Sequence, residues 1–228
     1  MRGGRLARCG PSGHTCWPEA RFAGVPCGAP LPFRYHGSQG AVPAKGRKMA
    51  TLANIAVIIF EILGLRISIA SRGWKIFAFY TQVSNLITLA SSVAFLVAGP
   101  AAAPLRYLSS CMLTMTFLVT LFVLVPMGGG FNQLMLSGNG LYHHTLCPLV
   151  SVASYVLWEA HSGSWLVPVA VTTVYGLTML YLNYRRIFDG PYPFFRVHNQ
   201  SVTASVVWTL VLIVAIAAIS LGMSRIAR

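Results

Sequence analysis

The chain has 228 residues, 55% of them hydrophobic and only 9% charged, with a formal net charge of +13 and a mean hydropathy of +0.65. So little charge excludes an ordinary water-soluble domain, and so much apolar sequence excludes a chain disordered throughout; a multi-pass membrane protein is the class that fits.

Residues 1–48 are a different material, rich in Arg, Gly and Pro, with eight of the 17 basic residues set against Glu19 alone. A segment of this kind cannot bury a core and is expected to be disordered. It has no apolar run of the sort a cleaved secretory leader needs. Met49 stands directly before the first apolar stretch and is an alternative start, which would leave residues 49–228 as the protein. Cys9, His14, Cys16 and Cys27 match no zinc-ligand spacing, and neither a metal nor any other cofactor is expected.

Six apolar stretches follow, at 50–70, 76–98, 108–127, 146–160, 165–182 and 202–223, most near the ~20 residues that a bilayer-spanning helix needs. The fold class expected is therefore all-α, a six-transmembrane-helix bundle over residues 49–228, placed in the cell membrane if the source is bacterial. The fourth stretch is short, with Pro148 tolerated in its first turn and Glu159 near its end, so it is expected either to begin earlier, at Tyr142, or to dip only partly through the membrane. Basic residues at the ends of the stretches read as partners of anionic lipid headgroups, and no nucleic-acid motif is present. With six spans, the tail, Arg106, Arg225 and Arg228 share one side, and Arg72, Lys75, Arg185, Arg186 and Arg196 the other. Because the tail decides the balance, the charges leave the orientation open. Cys111 and Cys147, inside predicted spans, are expected to pack as small apolar residues.

Polar groups within these stretches carry the functional information, since at membrane depth they are costly unless buried against protein or water. In the first stretch Asn54, Glu61 and Ser68 recur every seven residues on one helical face. Glu61 is the expensive member, and Arg66, five residues on, is turned away from it. In the second, Thr81, Ser84, Asn85, Thr88 and Ser92 fall at the spacing of a single face, which should point into the bundle. Bonding between helices is the ordinary use of such groups. Next to this stripe stand Tyr80 and Gln82, and Glu61 is placed to meet it from the neighbouring helix. A glycine-rich connection, 128–140, leads to His143 and His144, whose side chains point roughly 100° apart on a helix, so that only one can address a given interior site. Finally, 189–196 (Asp-Gly-Pro-Tyr-Pro-Phe-Phe-Arg) reads as an interface belt of aromatic and basic residues, or as a lid.

Taken in order, Trp74-Lys75-Ile76-Phe77 before the polar stripe, the histidines followed by Pro148, and Tyr192-Pro193-Phe194 before the last stretch resemble the androgen-induced protein family and its bacterial membrane relatives. The resemblance covers approximately residues 50–222. It implies an integral membrane hydrolase of fatty acid esters of hydroxy fatty acids, with a lipid ester as substrate, Thr81 as nucleophile, and His144 or His143 as base. Beside that carry-over, Ser84 is an alternative nucleophile one turn along the same face, and Tyr80, Gln82 and Asn85 are candidate oxyanion donors. Two other functions fit the composition: a small-solute carrier or channel with Glu61, Asn85 and Glu159 along a polar path, or a membrane subunit without activity of its own. The halves of the chain lack the inverted repeat and matched broken helices common in carriers.

Overall fold

The computed structural model describes residues 44–159, 163–189 and 191–226. The tail over 1–43, with Cys9, His14, Cys16 and Cys27, lies outside the described residues. Residues 44–48, grouped with the tail by composition, are helical and open the first helix.

All regular structure among the described residues is helical. The longer elements are α1 (Ala44–Arg72), α2 (Tyr80–Ala98), α3 (Ala103–Val119), α4 (Cys147–Trp158), α5 (Leu166–Tyr184) and α6 (Val202–Ile226). Four helical stretches are long and apolar enough to cross a membrane: Lys45–Ala78, Tyr80–Gly129, Leu166–Tyr184 and Val202–Ile226.

The second of these stretches is folded back on itself. Gly99 has φ 57°, which a side chain would disfavour, and Pro100 opens a short 3-10 turn, Gly99–Ala102. Beyond the turn, the Ser84 hydroxyl meets that of Thr116 at 2.9 Å and Ser91 meets Ser109 at 2.9 Å. Positions that advance along α2 therefore retreat along α3, and the pair is an antiparallel hairpin. α3 continues in wider π-helical turns, Thr120–Gly129, around Pro126. Proline has no N–H to give the regular ladder, and Gly128, at φ 101°, ends the run. α4 is likewise preceded by π-helical turns, Leu141–Leu146, so the helix begins well before residue 146, with Pro148 near the start of its regular part.

Burial is inverted relative to a water-soluble protein. Asn54, Glu61 and Ser68 of α1 are buried, and so is the whole α2 stripe of Thr81, Ser84, Asn85, Thr88 and Ser92. Meanwhile Leu86, Val93, Leu96 and Val97 on the opposite side of α2 are exposed, as are Leu52 and Ile59 of α1 and Leu210 and Val214 of α6. The buried hydroxyls of Ser84, Thr88 and Ser91 find helix carbonyls, and Ser84 and Ser91 also meet hydroxyls on α3, bonds worth roughly 1 kcal/mol apiece between apolar helices.

Long-range hydrogen bonds show which ends of the helices lie together. The Tyr175 hydroxyl on α5 donates to the Ala78 carbonyl at 2.7 Å, and Tyr192 meets Thr81, so the α5–α6 connector lies beside the α1–α2 turn. At the other end Asn54 reaches Glu159 at 3.0 Å, Arg106 reaches Ser92 at 3.2 Å, and the Tyr107 hydroxyl donates to the Ser220 carbonyl at 2.7 Å. Arg106, which the sequence suggests is a charge outside the spans, is fully buried here. Its Nε and Nη2 grip the Glu159 carboxylate at 2.8 and 2.9 Å, while Nη1 donates to Ser91, Ser92 and Ser151. Glu159 is completed by Ser154 at 2.6 Å and by Asn54. This charged group is neutralised within the protein, so it no longer counts toward either side of the charge balance.

Candidate functional site

Thr81 is the second residue of α2, where a backbone N–H has no carbonyl one turn earlier to meet. The Tyr192 phenol oxygen fills that place, accepting from Thr81 N at 3.2 Å, and lies 3.2 Å from Thr81 Oγ1. Where the phenol donates to Oγ1, the threonine's own proton is left available to a base. Burial holds the Tyr192 phenol above its ordinary pKa, so it stays a neutral donor.

Tyr192 is held from both sides. Its ring stacks on Phe194 at 5.2 Å and meets Phe79 edge-on at 5.7 Å, and Phe194 packs on Trp208 of α6. The connector's backbone is fixed by Asn183, whose side-chain oxygen accepts from Val197 N at 2.8 Å, and by Gln200, which donates to the Phe194 carbonyl at 3.0 Å. The expected interface belt is therefore a plug: Tyr192, Phe194 and Phe195 are buried among α2, α5 and α6.

Behind the plug lies a cavity of about 60 Å³ lined mainly by apolar side chains, with Thr81, Tyr80 and Tyr192 on its wall. Tyr80 spends its hydroxyl on Thr172, 2.8 Å away. Leu177, 53% exposed, also lines it, so the cavity reaches the outer surface of α5. A cavity of roughly 150 Å³ is what takes up benzene. The space beside Thr81 accordingly admits a segment of a flexible chain rather than a compact head.

The remaining candidates divide among other surroundings. Ser84 is sealed between helices, donating to the Thr81 carbonyl and paired with Thr116. Asn85 Nδ2 donates to the Thr81 carbonyl at 2.6 Å. Gln82, one residue beyond Thr81, points to a separate pocket with Glu61, Asn85 and His143, too tight for a water molecule. There the Gln82 amide donates to His143 Nδ1 at 3.0 Å and to Ser68 at 3.3 Å, and His143 Nε2 stands 3.5 Å from Glu61. His144 turns elsewhere and holds the Leu134 carbonyl at 2.8 Å. Thr81 therefore shares a hydrogen bond with neither imidazole among the described residues; His143 is bonded instead to Gln82, the residue that follows Thr81. Glu159 belongs to the Arg106 cluster and not to the pocket of Glu61 and Asn85.

Sequence reasoning overlooked two participants, the Tyr192 hydroxyl and the Arg106–Glu159 pair. Tyr192 was visible as part of a landmark, though nothing local to it shows which helix start its hydroxyl caps. Cys111 and Cys147 are buried thiols without a disulfide. No group of three or more His, Cys, Asp or Glu residues suited to a metal occurs among the described residues. No family model, curated protein or solved structure matches the chain.

Proposed function

We propose that this is a six-span integral membrane protein that takes an acyl chain of a membrane lipid into the cavity beside Thr81 and hydrolyses its ester there. One observation carries the reading: a helix-terminal hydroxyl, hydrogen-bonded to a phenol, forms part of the wall of an apolar cavity that reaches an apolar outer surface. Six spans follow from counting the Tyr80–Gly129 hairpin as two passes and adding 141–158, which at 1.5 Å per residue is about 27 Å long.

In the reaction, Thr81 Oγ1 attacks the ester carbonyl as a base takes its proton, and Tyr192 donates to the developing oxyanion. The tetrahedral intermediate collapses with loss of the alcohol, and water then cleaves the acyl-threonine. His143 is assigned as the base ahead of His144, because it is bonded to the residue next to Thr81 while His144 is occupied by a backbone carbonyl. To accept the threonine proton, His143 must first part from Gln82. The order of landmarks shared with the androgen-induced protein family supports the same chemistry.

Labelling with a lipophilic fluorophosphonate, read by intact mass, tests the reaction. The expected outcome is one adduct on the wild type and on Ser84→Ala, none on Thr81→Ala, and labelling slowed at least tenfold in Tyr192→Phe. Unchanged labelling of Thr81→Ala removes the nucleophile. Failure of the wild type to label, together with crosslinking of a photoreactive fatty acid to Leu177 or Leu180, would leave acyl binding without hydrolysis.

A further inference from the structure

We propose that Glu61 and His143 form a buried proton-binding site, holding one exchangeable proton between α1 and the turn that leads into α4. This does not depend on the chemistry assigned to Thr81. Four facts carry it: the two side chains are buried, Nε2 of one and Oε2 of the other are 3.5 Å apart, no lysine or arginine pairs with Glu61 among the described residues, and their pocket has no room for water.

The hydrogen bonds determine the tautomer. The Gln82 amide donates to His143 Nδ1, so a neutral ring carries its proton on Nε2, the atom facing Glu61. A carboxylate beside a neutral imidazole would bury a net negative charge with no cation to balance it, a costly arrangement in an apolar interior. One added proton neutralises the pair, either on the carboxyl or as an imidazolium against a carboxylate. Three buried oxygens at this pocket have no donor: Glu61 Oε1, Gln82 Oε1 and Asn85 Oδ1. A carboxyl proton on Oε1 turns one unsatisfied acceptor into a donor. If the proton passes to His143 Nδ1, an amide flip of Gln82 presents its unpartnered oxygen as the acceptor. The site therefore has an arrangement ready for each position of the proton.

The other groups around the pair fit this reading. From α1 comes Ser68, which accepts from Gln82. From α2 come Gln82 and Asn85, neither of which titrates. From the start of α4 comes the Cys147 thiol beside Glu61, and next to His143 is His144, on which the charge of Arg72 acts. Arg66 is exposed on another face of α1. The contrast is Glu159, whose two carboxylate oxygens are held by Arg106 and Ser154.

A hydrophobic carbodiimide, which reacts with protonated carboxyl groups in apolar surroundings, tests the proposal on the full chain in lipid nanodiscs, with adducts located by peptide mass mapping. The expected result is an adduct on Glu61, none on Glu159, and Glu61 labelling that falls as pH rises. In His143→Leu, which leaves no N–H to face the carboxylate, that fall moves to higher pH; an unmoved curve would reduce His143 to a packing residue and overturn the shared site. Absence of a Glu61 adduct from the wild type at every pH overturns the proposal without any variant. Protection by sodium or lithium at fixed pH would do so as well, by reassigning the pocket to an alkali metal ion.

Discussion

Gly64 shows how closely the imidazole of His143 approaches α1. A β-carbon at that position would fall on Nε2 and Cδ2 of the ring and against Tyr142, so the absence of a side chain is what lets His143 reach Glu61. Gly64→Ala is expected to cost about 1–3 kcal/mol of stability, the usual penalty for overfilling a packed site, and to separate the Glu61–His143 pair. Gly222, in the interior of α6, has nothing within 4 Å of an added β-carbon. The same substitution there removes only the entropic handicap of glycine and should stabilise by roughly 0.5–1 kcal/mol. Unfolding of both variants in detergent, followed by helical circular dichroism, checks the pair; equal effects would mean that His143 does not occupy the space beside Gly64. The stripe of Thr81, Ser84, Asn85, Thr88 and Ser92 was legible in the sequence because 3.6-residue periodicity is local. So was the divergence of the histidines, with His143 turned inward and His144 turned to Leu134. Which of the two meets Glu61, and that Tyr192 caps Thr81, was not legible, since those bonds join residues 82 and 111 positions apart and no local rule sets such distances.

Among the helices, the joint between α1, α3 and α4 rests on Arg106 and Glu159. In sequence each looks like a charge that terminates an apolar stretch, and a separation of 53 positions conceals the pairing. In the fold the guanidinium uses Nε and both terminal nitrogens, and both carboxylate oxygens are occupied. Removing one partner from such a pair strands the other as a buried charge. Arg106→Ala is therefore expected to cost about 3–5 kcal/mol, whereas Arg106→Met combined with Glu159→Met, which removes both charges and retains volume, should recover most of the loss. Thermal unfolding of the two single variants and the double variant is the measurement. A double variant as unstable as the sum of the singles would show that the two side chains act independently and that the joint does not rest on their pairing. The α5–α6 connector has a different character: it is held by side-chain bonds to backbone from Asn183 and Gln200 and by stacked aromatic rings, with no ladder of its own. Its two prolines announce an irregular segment, but they do not reveal that the rings turn inward.

Across the whole bundle, the bonds at the two ends carry a statement about sidedness. The α5–α6 connector lies beside the α1–α2 turn through Tyr192 and Tyr175, and the end of α6 lies beside the start of α3 through Tyr107 and Ser220. Lys75 and Arg185 then emerge at one end, while Lys48 and Arg225 emerge at the other. The segment 141–158 decides this, because it is shorter than the other stretches and is not one of the four long and apolar enough to cross a membrane. If it runs the full depth, as proposed above, with His143 bonded to Gln82 near one end and Glu159 to Asn54 near the other, the number of passes is even. Single cysteines at positions 48, 75, 185 and 225, in a background with the native thiols replaced, should then react with a membrane-impermeant maleimide in two pairs: 48 with 225 from one side, and 75 with 185 from the other. Were 141–158 to dip in and return instead, the chain after it would be inverted, and 48 would react together with 185. That pattern would also dismantle the site, since Tyr192 could not sit on the membrane side from which Thr81 begins α2.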